Sequence, residues 1–567
     1  MSMENFMKIL QHCKCKRSDA IYNTIKIVNA KIVDTQSMNV VSGEIIISNG
    51  IIKRVGKKID QKAEKTIDAR GMYLIPGFID AHVHIESSLL TPTEFSKAVL
   101  KHGTTTVIAD SHEICNILGI KGLELFLNES ENLPLEFYFV VPSCVPATDL
   151  GTSGATVTAE EIKKMMKNKR IVGLGEVMDF PAVIKRNKRI MEKINAAGKK
   201  VVNGHAPGLR GKLMNKYYDA GIMDDHESLE YSEMVEKAEY GVMLFLREGS
   251  AEVSGKEQYR IIDAYPDHIC FCSDDKSVVD IDRYGSILFN VNKAIALGYD
   301  PLITIRCATH SCAGYYGLDD IGNIKQGLKA NFFLSKSLKK IKPNIVFVNG
   351  IEVYPKGHVS NRGKFTYPAY AKSTVKHEPI NKKDIAIPTK HLGNIIVAKD
   401  GSLHTGWKKL KITEEYDVKK GILKIIVIER YRKNGNISTG QITGFGIKNG
   451  AIGSTVAHDC HNIIVVGTSD DEIVKVANEL IRNGGGLAIY SRTTGLGLLK
   501  LPIAGIMTQD DYKKVGKILE DLKKKAKAIG CKMREPFGTL SFMALEVIPE
   551  LKITDKGLVD VKNFRIL

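Results

Sequence analysis

The chain has 567 residues, 43% of them hydrophobic and 26% charged, with 17 Pro and 50 Gly. These values exclude global disorder, collagen-like repeats and a small disulfide-stapled scaffold, and the length suits roughly three to four domain-sized units. Lys and Arg outnumber Asp and Glu by 81 to 64, a net charge of +17, but they are scattered among acidic neighbours with no zinc-finger, RRM or basic-zipper pattern, so no nucleic-acid partner is expected.

The first twenty residues, MSMENFMKILQHCKCKRSDA, hold no apolar signal core. No run in the chain approaches the ~18 apolar residues that a membrane span needs. A cytoplasmic protein with no membrane partner is expected. Its ten cysteines, including the CxC pairs at Cys13 with Cys15 and Cys270 with Cys272, are expected to be reduced thiols.

After an N-terminal extension (1–22), residues 23–73 read as short strands: TIKIVNAKIVD, VVSGEIIISNG, IIKRVGKKI and KTIDARGMYL. Their β-branched content and the Asn49-Gly50 pair predict hairpins. From 74 to 325 eight apolar runs alternate with helical stretches such as PTEFSKAVLKHG and TAEEIKKMMKNK. The runs are LIPGFIDAH, TTTVIAD, LEFYFVV, RIVGLGEV, KVVNGHA, GIMDDHE, GVMLFLRE and HICFCSD. Eight even β-α units over about 250 residues match a TIM barrel, with a doubly wound sheet as the alternative. Residues 326–370 return to strands that would complete the β domain begun at the N-terminus. A Lys/Pro/Asn-rich linker is predicted over 371–392, and 393–567 mixes strands (NIIVAK, LKIIVIERY, NIIVVGTS) with helices (DEIVKVANELIRNGGG, DYKKVGKILEDLKKKAKAIG). The predicted fold is α/β: a (β/α)8 TIM barrel, a small β-sandwich domain built from the segments before and after it, and an additional α+β C-terminal domain.

TIM-barrel chemistry sits where each strand meets its following loop. The first run ends in PGFIDAHVH, and its period of two puts His82 and His84 on one face. An HxH pair alone arises easily by chance. Glu176 ends the fourth run, His205 the fifth, His226 the sixth, and Asp274 or Asp275 the eighth. Four histidines and two carboxylates converging from five strand ends predict a metal centre. Imidazole and carboxylate without thiolate suit Zn, Fe or Mn. Asp274 lies out of phase with Ile269, Phe271 and Ser273, on the face of Cys270 and Cys272 that can reach the barrel mouth. Asp275 is then predicted to point toward the helices or the loop.

These motifs carry a family resemblance. PGFIDAHVHIESS, with the strand-end His, His and Asp that follow, resembles the amidohydrolase superfamily. HVHIESSLLTP, DSHEICNILG, GLGEVMDF, AHDCHNIIVVG and FGTLSFMALEVIPELKITDKGL narrow the resemblance to the adenine deaminases over about residues 23–567. Ser111 stands where that family usually has Pro, and Cys460 where it usually has Ser. The resemblance implies hydrolysis of adenine to hypoxanthine and ammonia, in purine salvage, at a binuclear centre of Mn or Fe, with Zn as the alternative. Its metal ligands would be His82, His84, Glu176, His205, His226 and Asp274. Many amidohydrolases bridge their metals with a carbamylated lysine from strand 4. This chain has Glu176 there, whose two oxygens can bridge two cations. Asp274 would take a proton from the metal-activated hydroxide as it attacks C6 and pass it to the departing amine.

Adenine and water are the implied partners, and a homodimer is expected. Glu86 and His112 are further catalytic candidates. Ser87, Ser88, His112, Arg247 and Glu248 are candidates to contact the purine, although Ser87 and Ser88 suit a capping role equally and Arg247 with Glu248 suits a local ion pair. In the C-terminal segment, AHDCHN is unusually polar to precede the strand NIIVVG. With the resemblance, this points to His458 or Asp459 reaching the site and His461 bracing it. Two other classes stay open: an amidohydrolase acting on a cyclic amide of hydantoin or dihydroorotate type, and a non-catalytic amidohydrolase-like scaffold. The absent strand-4 lysine argues against the first, and the intact ligand set against the second.

Overall fold

The computed structural model describes residues 23–357 and 364–567. The N-terminal extension, with Cys13 and Cys15, lies outside the described residues. Strands Thr24–Asp34, Asn39–Ser48, Ile51–Gly56, Lys65–Asp68 and Tyr73–Pro76 join Phe332–Ser335, Pro343–Val348 and Ile351–Tyr354 in one eight-stranded sheet. The antiparallel pairing of Tyr73–Pro76 with Phe332–Ser335 ties the two chain segments together. Asn49 and Gly50 both take positive φ, 50° and 76°, between paired Ser48 and Ile51. A two-residue hairpin loop needs that geometry, which is why Asn-Gly stands there.

Eight parallel strands follow, and all eight coincide with predicted runs. They are β1 (Phe78–Val83), β2 (Thr104–Asp110), β3 (Glu136–Val141), β4 (Ile171–Val177), β5 (Val201–Gly204), β6 (Asp224–Asp225), β7 (Met243–Arg247) and β8 (Ile269–Cys272). Strands β1 to β5 form one sheet and β6 to β8 another. Met223 N donates to Val202 O at one seam, and Asp274 N donates to His82 O at the other, each at 3.0 Å. The architecture is a TIM-barrel-like α/β fold. Ile79, Ala81, Ile108, Val140, Val172, Val201, Phe245, Cys270 and Cys272 share one buried cluster, the packed interior expected when alternate residues of each strand point inward. The described cysteines are all free thiols, and all are buried.

The C-terminal part builds a second eight-stranded sheet, from Asn394–Val397 to Gly495–Lys500, with helices Asp470–Arg482 and Tyr512–Ala528. The segment 371–392 differs from the predicted linker. Ile380 and Ile385 are buried beside Ile473 and Val476, and Ile380 N donates to Asn478 Oδ1 at 2.8 Å. Two apolar residues spaced among lysines are enough to fasten it down. The C-terminal part also packs on the barrel without a break, since Ile114 and Phe126 share one apolar core with Leu519 and Met543. Tyr512 N donates to Glu94 Oε2 at 3.1 Å, and Arg283 pairs with Glu520 at 2.5 Å. The C-terminal part thereby sits over the barrel mouth. Among the described residues no helix is long and apolar enough to cross a membrane.

Candidate metal centre

The predicted ligands meet around Glu176. This carboxylate is buried at the end of β4, 2% exposed. Its Oε1 lies 3.4 Å from His84 Nε2, 3.8 Å from His82 Nε2 and 3.4 Å from His112 Nδ1. Its Oε2 lies 2.7 Å from His205 Nδ1 and 3.3 Å from His226 Nε2. One oxygen thus faces the histidines of β1 and the other those that follow β5 and β6. Asp274 Oδ1 is 3.1 Å from His84 Nε2 and 3.6 Å from His82 Nε2. Burial acts to raise the Glu176 pKa, but hydrogen bonds to His205 and His226 override it and hold the carboxyl well below its ordinary range.

The local sequence explains the precision. His84 Nδ1 sits 3.0 Å from the Asp110 carbonyl, so its hydrogen is spent there and Nε2 presents a lone pair. The Asp110 carboxylate accepts from Glu176 N at 3.0 Å. Gly175 must precede Glu176, because a β-carbon at that position would strike Asp110. Asp225 pairs with the buried Lys237 at 2.9 Å and accepts from Ala206 N, fixing the turn after His205.

The residues fit a cation. His82 Nε2 and His84 Nε2 face each other at 3.0 Å. His112 Nδ1, 3.4 Å from Glu176 Oε1, is buried without a hydrogen-bond partner. Buried lone pairs cost free energy unless something accepts them. His82, His84 and Glu176 form one compact donor group, Glu176, His205 and His226 a second, and His82, His226 and Asp274 a third.

Asp274 reaches the centre, but not by strand phase. The strand ends at Cys272, Ser273 turns aside to Asp80, and Asp274 takes φ 54°, a left-handed conformation that Asp tolerates better than most residues. Asp275 does not turn toward the helices. It accepts from Ser87 Oγ and lines the mouth, because the left-handed residue before it breaks the alternation on which the prediction rested. Arg247 forks onto Glu227, reaches Glu252, and donates to Asp274 Oδ2 at 2.7 Å. Burial raises Asp274, but Arg247 outweighs it and holds the carboxyl well below its usual range.

Other candidates lie elsewhere. Glu248 leaves the site, accepting from Tyr259 OH at 2.8 Å and Lys293 Nζ at 2.6 Å. It follows inward-facing Arg247 and so takes the opposite face. Glu86 accepts from Ile114 N at 3.1 Å and sits behind the helix that starts at His112. Ser88 donates to Ile85 O at 2.6 Å and accepts from Leu90 N, a local turn. His112 does reach the centre, with Asp459 Oδ1 3.8 Å from its Nε2.

A small cavity opens on the cluster and is also lined by Glu113, Glu227, His458, Asp459 and Phe542. A neighbouring, larger cavity shares Asp275, His458 and Phe542 with it and adds Ser87, Leu487 and Phe537. The His458 ring stacks on Phe542 at 4.4 Å and 15°. Burial lowers the His458 pKa, but Glu113 and Asp275 more than compensate, and it is pushed up to about 9. Sequence reasoning missed Asp110, Glu113 and Glu227. Asp110 and Glu227 carried a signal, at the end of TTTVIAD and beside His226. Glu113 carried none, because its partners are 345 and 348 residues away.

Residues 73–353 match the amidohydrolase family model, and residues 402–565 match the adenine deaminase C-terminal domain. An adenine deaminase of Dehalococcoides mccartyi is 38% identical over 564 residues, covering 98% of this chain and 98% of its own. The chain belongs to the adenine deaminase family. A second relative, the adenine deaminase of Archaeoglobus fulgidus, is 38% identical over 545 residues, 95% of this chain and 94% of its own. Among solved structures, a β-aspartyl dipeptidase of Fervidobacterium islandicum AW-1 aligns with a TM-score of 0.47 at 18% identity, over 61% of this chain and 99% of that chain. Amidohydrolases use divalent metal, and among the described residues the donor groups around Glu176 could hold one.

Proposed function

We propose that the protein hydrolyses adenine to hypoxanthine and ammonia. The observation that carries this reading is likeness to proteins named adenine deaminase along nearly the whole chain, C-terminal domain included. The geometry around Glu176 supports the chemistry. His82, His84, Glu176, His205, His226 and Asp274 would hold the metal, Mn or Fe in preference to Zn. When bound, divalent cations supply the Lewis acidity that brings water toward ionisation at neutral pH.

The chain's own groups do the rest. C6 of adenine becomes tetrahedral, one of the attacking water's two protons goes to N1, and the other must reach the amino group so that it leaves as ammonia. Asp274, kept ionised by Arg247, takes the proton of the attacking water and delivers it to the leaving amine. His112 and His458 stand at the cavity wall as contacts to ring nitrogens. Asp459 stands beside His112, and Asp275 and Ser87 form a polar edge on the same wall. Phe542, stacked against His458, presents an apolar face to a planar ring and keeps bulk water out.

The strand pairing supports a single small β domain drawn from 23–73 and 326–370, read here as a β-sandwich, with the barrel over 74–325 and an α+β domain from 393. A cytoplasmic homodimer completes the reading. Incubation of the metal-loaded protein with adenine and, separately, adenosine, followed by ultraviolet spectra, tests it. Conversion of adenine to hypoxanthine is expected. No spectral change with adenine would refute it.

A further inference from the structure

We propose that Glu113, a barrel residue, is a positioning residue that aims His458 of the C-terminal domain into the substrate cavity. The inference rests on the reading that this cavity takes adenine. Glu113 is 1% exposed and spends both oxygens on the other domain. Its Oε1 accepts from His458 Nδ1 and its Oε2 from His461 Nε2. A carboxylate only accepts hydrogen bonds, so each ring must present an N–H to it. For His461 the tautomer is fixed twice over, since its Nδ1 accepts from Ala457 N at 3.3 Å. For His458 the hydrogen on Nδ1 is committed to Glu113, which leaves Nε2 as the one ring nitrogen available to a ligand. That ring lines both cavities.

Phe542 holds the plane of the His458 ring by stacking, but stacking does not select which edge points inward. The bond to Glu113 makes the two edges unequal. Because Glu113 immediately follows His112, which faces the Glu176 carboxylate, the same short helix that serves the metal centre also sets the orientation of the C-terminal histidine. Completion of the cavity wall is thereby coupled to correct seating of the C-terminal domain.

Glu113→Gln separates these roles. An amide offers one acceptor, and His461, tied to Ala457, keeps it, so His458 loses its anchor. Steady-state kinetics with adenine are measured on the full-length, metal-loaded wild type, E113Q, H458A and the double variant, with metal content and melting temperature alongside. Loss of a hydrogen bond to a charged group predicts KM raised about 10–100-fold in E113Q, with kcat changed less. The double variant should match H458A within about twofold, because Glu113 acts through His458. If E113Q fails to fold, Glu113→Asp, which keeps the charge and withdraws it by one methylene, should show the same non-additivity. Multiplied losses in the double variant, wild-type kinetics in E113Q, or loss of a metal ion from the Glu113, His458 and His461 group would each overturn the assignment. A wild type inactive on adenine refutes the adenine reading and this assignment with it, whereas an active wild type with an indifferent E113Q refutes the assignment alone.

Discussion

Glu176→Gln probes the centre most economically, because it keeps the volume of a fully buried side chain and removes only its charge and one acceptor. In the wild type the two oxygens divide the work, Oε1 toward His82, His84 and His112 and Oε2 toward His205 and His226. An amide can present its oxygen to one side only, and its NH2 then faces the nitrogens of the other. Leaving one partner of a buried charge pair uncompensated costs about 3–5 kcal/mol, which weakens ion binding on that side by roughly 10²–10⁴-fold. Metal content by plasma emission after gel filtration should fall from about two per chain toward one, as loss of a bridging ligand in a two-metal site requires. Activity should fall with it while the melting temperature stays close to that of the metal-depleted wild type. Unchanged metal content with lost activity would refute the bridging role and make Glu176 an acid–base group instead.

Asp274→Asn should nearly abolish turnover and leave the fold intact, whereas Asp275→Asn should retain the metal and alter KM. A dead Asp275 variant beside an active Asp274 variant would reverse the assignment. Arg247→Met strands the buried carboxylates Glu227 and Asp274, and the half-buried Glu252, so thermal unfolding should show a loss of about 3–5 kcal/mol together with reduced kcat. Glu546 is buried, and burial and nearby Asp459 push its pKa up to about 7 from an ordinary value of 4.5. The folded state therefore keeps a proton that the unfolded state gives up first, and stability present below about pH 4.5 is lost as pH rises to about 7. Glu546→Gln, which can still accept from Thr148, should raise the melting temperature at pH 8 more than at pH 5. An equal change at both would refute the shift.

The eight barrel strands were legible because each is a compact apolar run, and the metal ligands because they sit at strand ends, where the fold dictates that side chains converge. His82 and His84 follow directly from a period of two. Legibility stopped where the backbone left that period. Asp274 at φ 54° redirects Asp275 into the mouth, and no composition signal marks such a turn. Arg247 and Glu248 show the opposite case, since plain alternation past the end of β7 separates them, one into the site and one onto Tyr259 and Lys293. In the segment 371–392, Ile380 and Ile385 were hidden by the lysines around them. Glu113 was hidden by chain distance, for its role exists only once two domains meet. The same contact decides how the C-terminal domain can be tested. One core runs through both parts, so truncation at 393 would expose apolar surface, and the substitution His458→Ala in the full chain is the cleaner probe.

The measurement that bears most directly on the central claim is the stoichiometry of products from adenine, using protein loaded with Mn²⁺ or Fe²⁺ and the Asp274→Asn variant as a matched control. The geometry around Glu176 and Asp274 predicts hypoxanthine and ammonia in equal amounts from the wild type and almost none from the variant. Metal-replete wild type that releases no ammonia from adenine, or an Asp274→Asn variant as active as the wild type, would contradict it.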